Sequence, residues 1–224
     1  MRKRGKKVKY GESIFDVLYL AFAIAAGVYL LVKSKDRCGR AMGAAALLLG
    51  AGDAFHLIPR VLNYFLDGDF TTALGVGKLV TSVTMTIFYV LLYYVWIVRY
   101  REKYSVTLSV VITALAAVRI ILCAFPQNGW FDNTNNLVWS IVRNLPFAVL
   151  GGIVCYLFFK KRREVRCLSP IWIYVLLSFA FYLPVAVGAT YVPLLGMLML
   201  PKTVCYILMI VAFLLDGKGT RQEA

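Results

Sequence analysis

The chain has 224 residues, of which 61% are hydrophobic, and a mean hydropathy of +0.74. Soluble domains average about 45–50% apolar residues, so this composition excludes a water-soluble globular protein and implies an integral membrane protein. Formal net charge is +14, from 25 basic and 11 acidic residues, but the cations sit between apolar runs rather than on a folded polar surface. That pattern excludes a nucleic-acid partner and fits Lys and Arg gathered in the cytoplasmic loops of a membrane protein.

Residues 1–11 read as a basic tail. The first apolar run, about 13–32, is too long for a signal peptide and lacks a small-residue cleavage site. A basic loop, 33–40, leads to a second span at about 41–62. The loop at 63–72 has no cation and precedes a third span, about 75–98. After the basic segment 99–103 comes a fourth span, about 106–125, then a polar turn at 126–135 with interfacial aromatics. A fifth span at about 137–159 ends in the basic segment 160–166. The sixth runs about 169–187 and the seventh about 194–215, with 216–224 as a C-terminal tail. The expected fold is therefore all-α: one polytopic transmembrane domain of seven helices. Pro59, Pro146, Pro184 and Pro201 fall within spans two, five, six and seven and are expected to kink them.

The loops at 33–40, 99–103 and 160–166 carry 4, 3 and 5 basic residues, and Lys218 and Arg221 extend the same side, against six cations in the N-terminal tail. This bias predicts a multi-pass protein of the cell membrane with its C-terminus in the cytoplasm and its N-terminus outside.

With that orientation, Asp16, Asp53, His56, Arg60, Lys78, Arg119, Arg143 and Lys202 all fall in the outer half of their spans. Asp53, His56 and Arg60 lie within about 60° of one another on the second helix and are expected to face the bundle interior. Ser82 and Tyr89 follow Lys78 at helical spacing. A charge at bilayer depth costs about 2.5–3.5 kcal/mol on insertion scales, so such groups face protein or a wet cavity. The excess of cations over acids suits an anionic or zwitterionic head group, and Asp53, Arg119, Arg143 and Lys202 are expected to line one outward-opening pocket. Asp53 and His56 form a candidate acid/base pair, although an i, i+3 pair on one helix is also a common structural contact.

No cofactor is expected. Cys38, Cys123, Cys155, Cys167 and Cys205 are scattered and His56 is the only histidine, so a classical zinc site is disfavoured. A retinal-type Schiff base at Lys202 is disfavoured as well, because that lysine lies near the outer end of its span without a counter-ion pattern.

The segment Gly52-Asp53-Ala54-Phe55-His56-Leu57-Ile58-Pro59-Arg60 resembles the YhhN-like lysoplasmalogenase family of multi-helix membrane proteins, and Gly75-Val76-Gly77-Lys78-Leu79-Val80-Thr81-Ser82 is similar to its glycine-led third segment. That family has eight helices and a late Ser-Asp; here the corresponding stretch, Gly196 to Thr203, carries no acid. The resemblance implies hydrolysis of the vinyl ether of a lysoplasmalogen, or of a lysophospholipid, with Asp53 as general acid or base and the cations holding the lipid phosphate. The residues alone suit equally a non-enzymatic binding protein or transporter, with a membrane lipid, an anionic small molecule or a lysophospholipid as partner.

Overall fold

The structure is a computed structural model. It describes the backbone of residues 2–134, 136–189 and 191–222, and among these all side chains except those of 2–8, 193 and 218–222. Seven helices follow one another: α1 (Arg2–Lys33), α2 (Arg37–Phe65), α3 (Thr71–Arg99), α4 (Val106–Ala124), α5 (Leu137–Lys160), α6 (Ile171–Gly188) and α7 (Met199–Gln222). Short 3-10 segments, Pro126–Asn128 and Pro193–Leu198, precede α5 and α7, and no strand occurs among the described residues. Each helix is long and apolar enough to cross a membrane. The basic tail expected at the start is helical from Arg2, continuous with α1, and α7 runs on to Gln222 through most of the expected C-terminal tail. The cations of that N-terminal segment up to Lys7, with Lys218 and Arg221, lie outside the described side chains.

Local sequence explains the helix starts. Asp36 accepts from the Gly39 amide at 3.0 Å, and Ser105 and Asn136 cap α4 and α5 in the same way, each meeting an orphan N–H of the first turn. Pro59, Pro146 and Pro184 lie inside their helices. Pro201 does not interrupt α7. It occupies the first turn, where no intrahelical bond is lost, because the chain enters α7 through the 3-10 segment.

Neighbouring helices pack in chain order, and α7 closes the bundle against α1 and α2. Large apolar side chains face outward along the bundle, among them Leu18, Phe55, Val110, Leu145 and Tyr156, while Asp16, Arg119, Asn144 and Lys202 are buried. Apolar outside and polar inside is the arrangement a hydrocarbon solvent selects. Without water to drive them together, membrane helices associate through close backbone approach. A Cβ added at Gly27 of α1 would stand 2.6 Å from the Leu47 backbone nitrogen of α2, and one at Gly77 of α3 would collide with the Phe55 carbonyl and the His56 Cα.

In the described segment 126–134, Phe131 is exposed like the interfacial aromatic expected of this turn, but two other residues turn inward. Asn128 and Trp130 are buried: Asn128 Nδ2 donates to the carbonyls of Leu122 and Phe125, both at 2.8 Å, and the Trp130 indole donates to the Cys123 carbonyl at 2.7 Å. These bonds satisfy carbonyls that α4 leaves open at its end, so Asn128 and Trp130 fold inward as a plug at the end of α4.

Candidate functional site

Beneath the plug, the expected site residues separate into three groups. The first is a chain of side chains across the bundle interior. Tyr19 of α1 donates to Asp53 Oδ2 of α2 at 2.7 Å. The charge facing Asp53 is the ammonium of Lys202 from α7. Lys202 lies 4.6 Å from the ring centroid of Tyr182 and 5.3 Å from that of Tyr206. The Tyr182 hydroxyl of α6 donates to Asn144 Oδ1 of α5 at 2.8 Å, and the same oxygen accepts from Arg119 Nη1 of α4 at 3.2 Å. Tyr89 of α3 meets Ser178 Oγ at 3.1 Å and touches the rings of Phe147 and Phe179. All seven helices thus contribute to one polar and aromatic centre.

Arg119 is the unusual member. It is 1% exposed, its guanidinium stacks 3.5 Å from the Phe147 ring centroid, and its Nε has no hydrogen-bond partner. Among the described residues no carboxylate lies within ion-pairing distance of it. Arg143 of α5 repeats the arrangement nearer the plug: Nη1 donates to Asn128 Oδ1 at 2.7 Å and the guanidinium lies 4.5 Å from the Trp130 ring. An amide oxygen and an aromatic face hold each cation without neutralising it. Lys78, exposed and bonded to Asn133 Oδ1 at 2.6 Å, is within electrostatic reach of Arg143, Arg143 of Arg119, and Arg119 of Lys202. The cations therefore form a ladder from the surface to Asp53.

The second group is an ion-pair cluster between α1 and α2. Arg60 Nη2 donates to Glu12 Oε2 at 2.8 Å, and Tyr64 shares that oxygen at 3.0 Å. Asp16 is buried beside it, with Oδ2 unpartnered. The third is His56, which turns toward α3: its ring meets the Leu74 carbonyl, and Nδ1 has no partner. Asp53 bonds Tyr19 rather than His56, so the two are not joined as a pair. Ser82 donates back to the Lys78 carbonyl at 2.8 Å, a local helix bond.

Tyr19, Asn144, Tyr182 and Tyr206, all central here, were not among the expected site residues. Asn144 offered the only readable signal, an amide next to Arg143 inside an apolar run.

A groove of about 430 Å³ runs between α5 and α6 on the lipid-facing side, from Ala148 and Leu183 to Phe159 and Trp172. Its walls are apolar. Ala148 lies one turn beyond Asn144, and Leu183 follows Tyr182, so the groove ends beside the polar centre. Among the described residues no three His, Cys, Asp or Glu side chains come together as a metal-binding group. No family model, no curated protein and no solved structure matches this chain.

Proposed function

We propose that this multi-pass protein sits in the cell membrane with its basic loops and C-terminus in the cytoplasm, and binds or transports an anionic, lipid-like ligand from the outer side. One observation carries the reading: Arg119 is buried inside its span, with no counter-ion among the described residues and an open Nε. A buried charge left unpaired is costly, and an anion is the partner that relieves the cost. The ladder Lys78, Arg143, Arg119, Lys202 gives that anion an entry route, each step less exposed than the surface, with Asp53 as the acid that ends it. The α5–α6 groove covers about 16 Å of α5 at 1.5 Å per residue, long enough to take most of one acyl chain. A phosphate at Arg119 and Lys202 with a single chain in the groove describes a lysophospholipid.

A second reading rests on Asp53, held between a phenol and an ammonium inside the bundle. There it is fitted to move a proton to a vinyl ether while water adds, releasing a fatty aldehyde and the glycerophosphate head. Asp53 would act without His56, which faces α3.

The test is binding of 1-palmitoyl lysophosphatidic acid to the detergent-purified chain by native mass spectrometry, with monopalmitoylglycerol as the uncharged control. Preference for the phosphate-bearing lipid is expected; equal binding of both would remove the anion site. Asp53→Asn separates the readings, because a hydrolase loses turnover of a lysoplasmalogen by orders of magnitude while a binder retains its ligand.

A further inference from the structure

At the opposite end of the bundle a cavity of about 720 Å³ opens between the α1–α2 turn, the end of α3 and Gly217 of α7. Lys33, Lys35, Arg37, Arg99 and Arg101 line it, with Asp36 as the lining acid. Two of the cations have local reasons to be there. Lys33 lies in the last turn of α1, where a positive charge complements the helix dipole. Arg99 makes a two-pronged pair with Asp216, through Nε at 2.8 Å and Nη2 at 2.9 Å. Asp36 is committed to capping α2.

The other three belong to the basic loops gathered at this end of the bundle, but the local backbone does not favour a cation where they stand. Arg37 is the first residue of α2, where the dipole is already positive and a cation is misplaced. Lys35 stands one residue before the cap. Arg101 holds φ at 51°, a left-handed backbone that costs a non-glycine residue about 1 kcal/mol or more, so its position in the cavity wall is sustained against strain. Among the described residues none of Lys35, Arg37 and Arg101 has a carboxylate within 4 Å. A misplaced cation at a helix start, a strained arginine and a concave wall converge on one missing charge.

We propose that this cavity binds a phosphate-bearing anion, the chemistry shared by an anionic phospholipid head group and a soluble phosphate. Arg37 and Arg101 are its principal donors, and Lys33 and Lys35 form the rim. The site is separate from the Arg119 centre and does not depend on the reading given for it.

The experiment uses the full chain in three forms: unaltered, Arg37→Gln/Arg101→Gln, and Lys160→Gln/Arg163→Gln, which loses the same charge from another loop at the same end. Native mass spectrometry from mixed phosphatidylcholine and phosphatidylglycerol nanodiscs reads the lipid source, and calorimetric titration with inorganic pyrophosphate in neutral detergent reads the soluble one. At least a tenfold loss of phosphatidylglycerol retention in the cavity variant alone supports the site with a lipid occupant; the same selective loss for pyrophosphate supports it with a soluble one. Equal losses in both variants, or no binding of either probe to the unaltered chain, overturn it. Arg101→Gly guards against misfolding, since glycine relieves the left-handed strain. It should melt higher than the unaltered chain yet bind at least fivefold less, and retained binding in Arg101→Gly overturns the role of that side chain.

Discussion

Replacing Arg119 by methionine tests the proposed ligand site most directly, because that proposal predicts a small effect on the empty protein and a large one on the loaded protein. Removing the charge recovers about 2.5–3.5 kcal/mol of insertion cost. Against this stand the stacking on Phe147 at 3.5 Å, worth about 2 kcal/mol when desolvated, and the bond to Asn144, worth about 1.5–3 kcal/mol as a charge-assisted contact. Asn144 Oδ1 keeps the Tyr182 hydroxyl, so no orphan acceptor is left behind. These terms nearly cancel, and Arg119→Met should change the stability of the ligand-free chain by no more than about 1–2 kcal/mol. A phosphate losing a guanidinium donor forfeits about 3 kcal/mol, roughly a hundredfold in affinity. At a lysophosphatidic acid concentration 100 times the unaltered Kd, ligand stabilises the unaltered chain by about 2.7 kcal/mol and the variant by about 0.4 kcal/mol. In a thermal-melt assay the first is a shift of about 5–10 °C and the second of about 1 °C. A variant that melts far lower without ligand, or shifts as much as the unaltered chain with it, refutes the reasoning: the first makes Arg119 a packing group, the second removes it from the ligand.

Gly77→Ala should destabilise by about 1–3 kcal/mol, since the added methyl meets backbone of α2 that cannot give way, and denaturant melts of the purified variant would measure it. Thr220→Cys in a cysteine-free background should resist impermeant thiol reagents in intact cells; strong labelling would invert the orientation proposed for the bundle. Tyr100, just past the end of α3, is buried, and burial with the nearby Asp216 charge pushes its phenol up to about 12. Its folded value lies above the unfolded value of 10.0, so the stability it contributes is intact below pH 10 and is lost as pH rises through 12. Tyr100→Phe should flatten that alkaline loss, read as melting temperature against pH.

The number and order of helices were legible because hydrocarbon thickness imposes run length, and the seven apolar runs match the seven helices to within a few residues except at α1 and α7. A charge deep in an apolar run is costly against lipid, and Asp16, Arg119, Arg143 and Lys202 are buried accordingly, while Lys78 is exposed. What each one meets was not legible. On α2 a spread of about 60° sends Arg60 to Glu12 of α1, Asp53 to Tyr19 and Lys202, and His56 to α3, because α2 touches all three of those neighbours. The partners were mostly tyrosines and asparagines, and a tyrosine in an apolar run reads equally as interfacial belt or interior. The inward fold of Trp130 was hidden similarly, since an aromatic in a loop resembles a membrane anchor until the carbonyls at the end of α4 are accounted for.

Three acids of the spans face cations of their own, while Asp16, its Oδ2 unpartnered, lies beside the Arg60 pair, and this singles out two arginines. Glu12 pairs with Arg60, Asp216 with Arg99, and Asp53 faces Lys202. Arg119 and Arg143 remain, and both receive the same substitute for a carboxylate, an asparagine oxygen and a ring face. A carboxylate would stabilise the empty bundle more, but it would also cancel the field that attracts an anion. An amide and a ring keep the guanidinium oriented while leaving its charge whole. Two independent arginines, on different helices and at different depths, show this arrangement. A purely structural need would be met by pairing them, as it is at Arg60 and Arg99. Among the described residues Arg119 and Arg143 are the two buried arginines, and they lie on the route proposed between Lys78 and Lys202, where a ligand's charge would supply what the protein withholds.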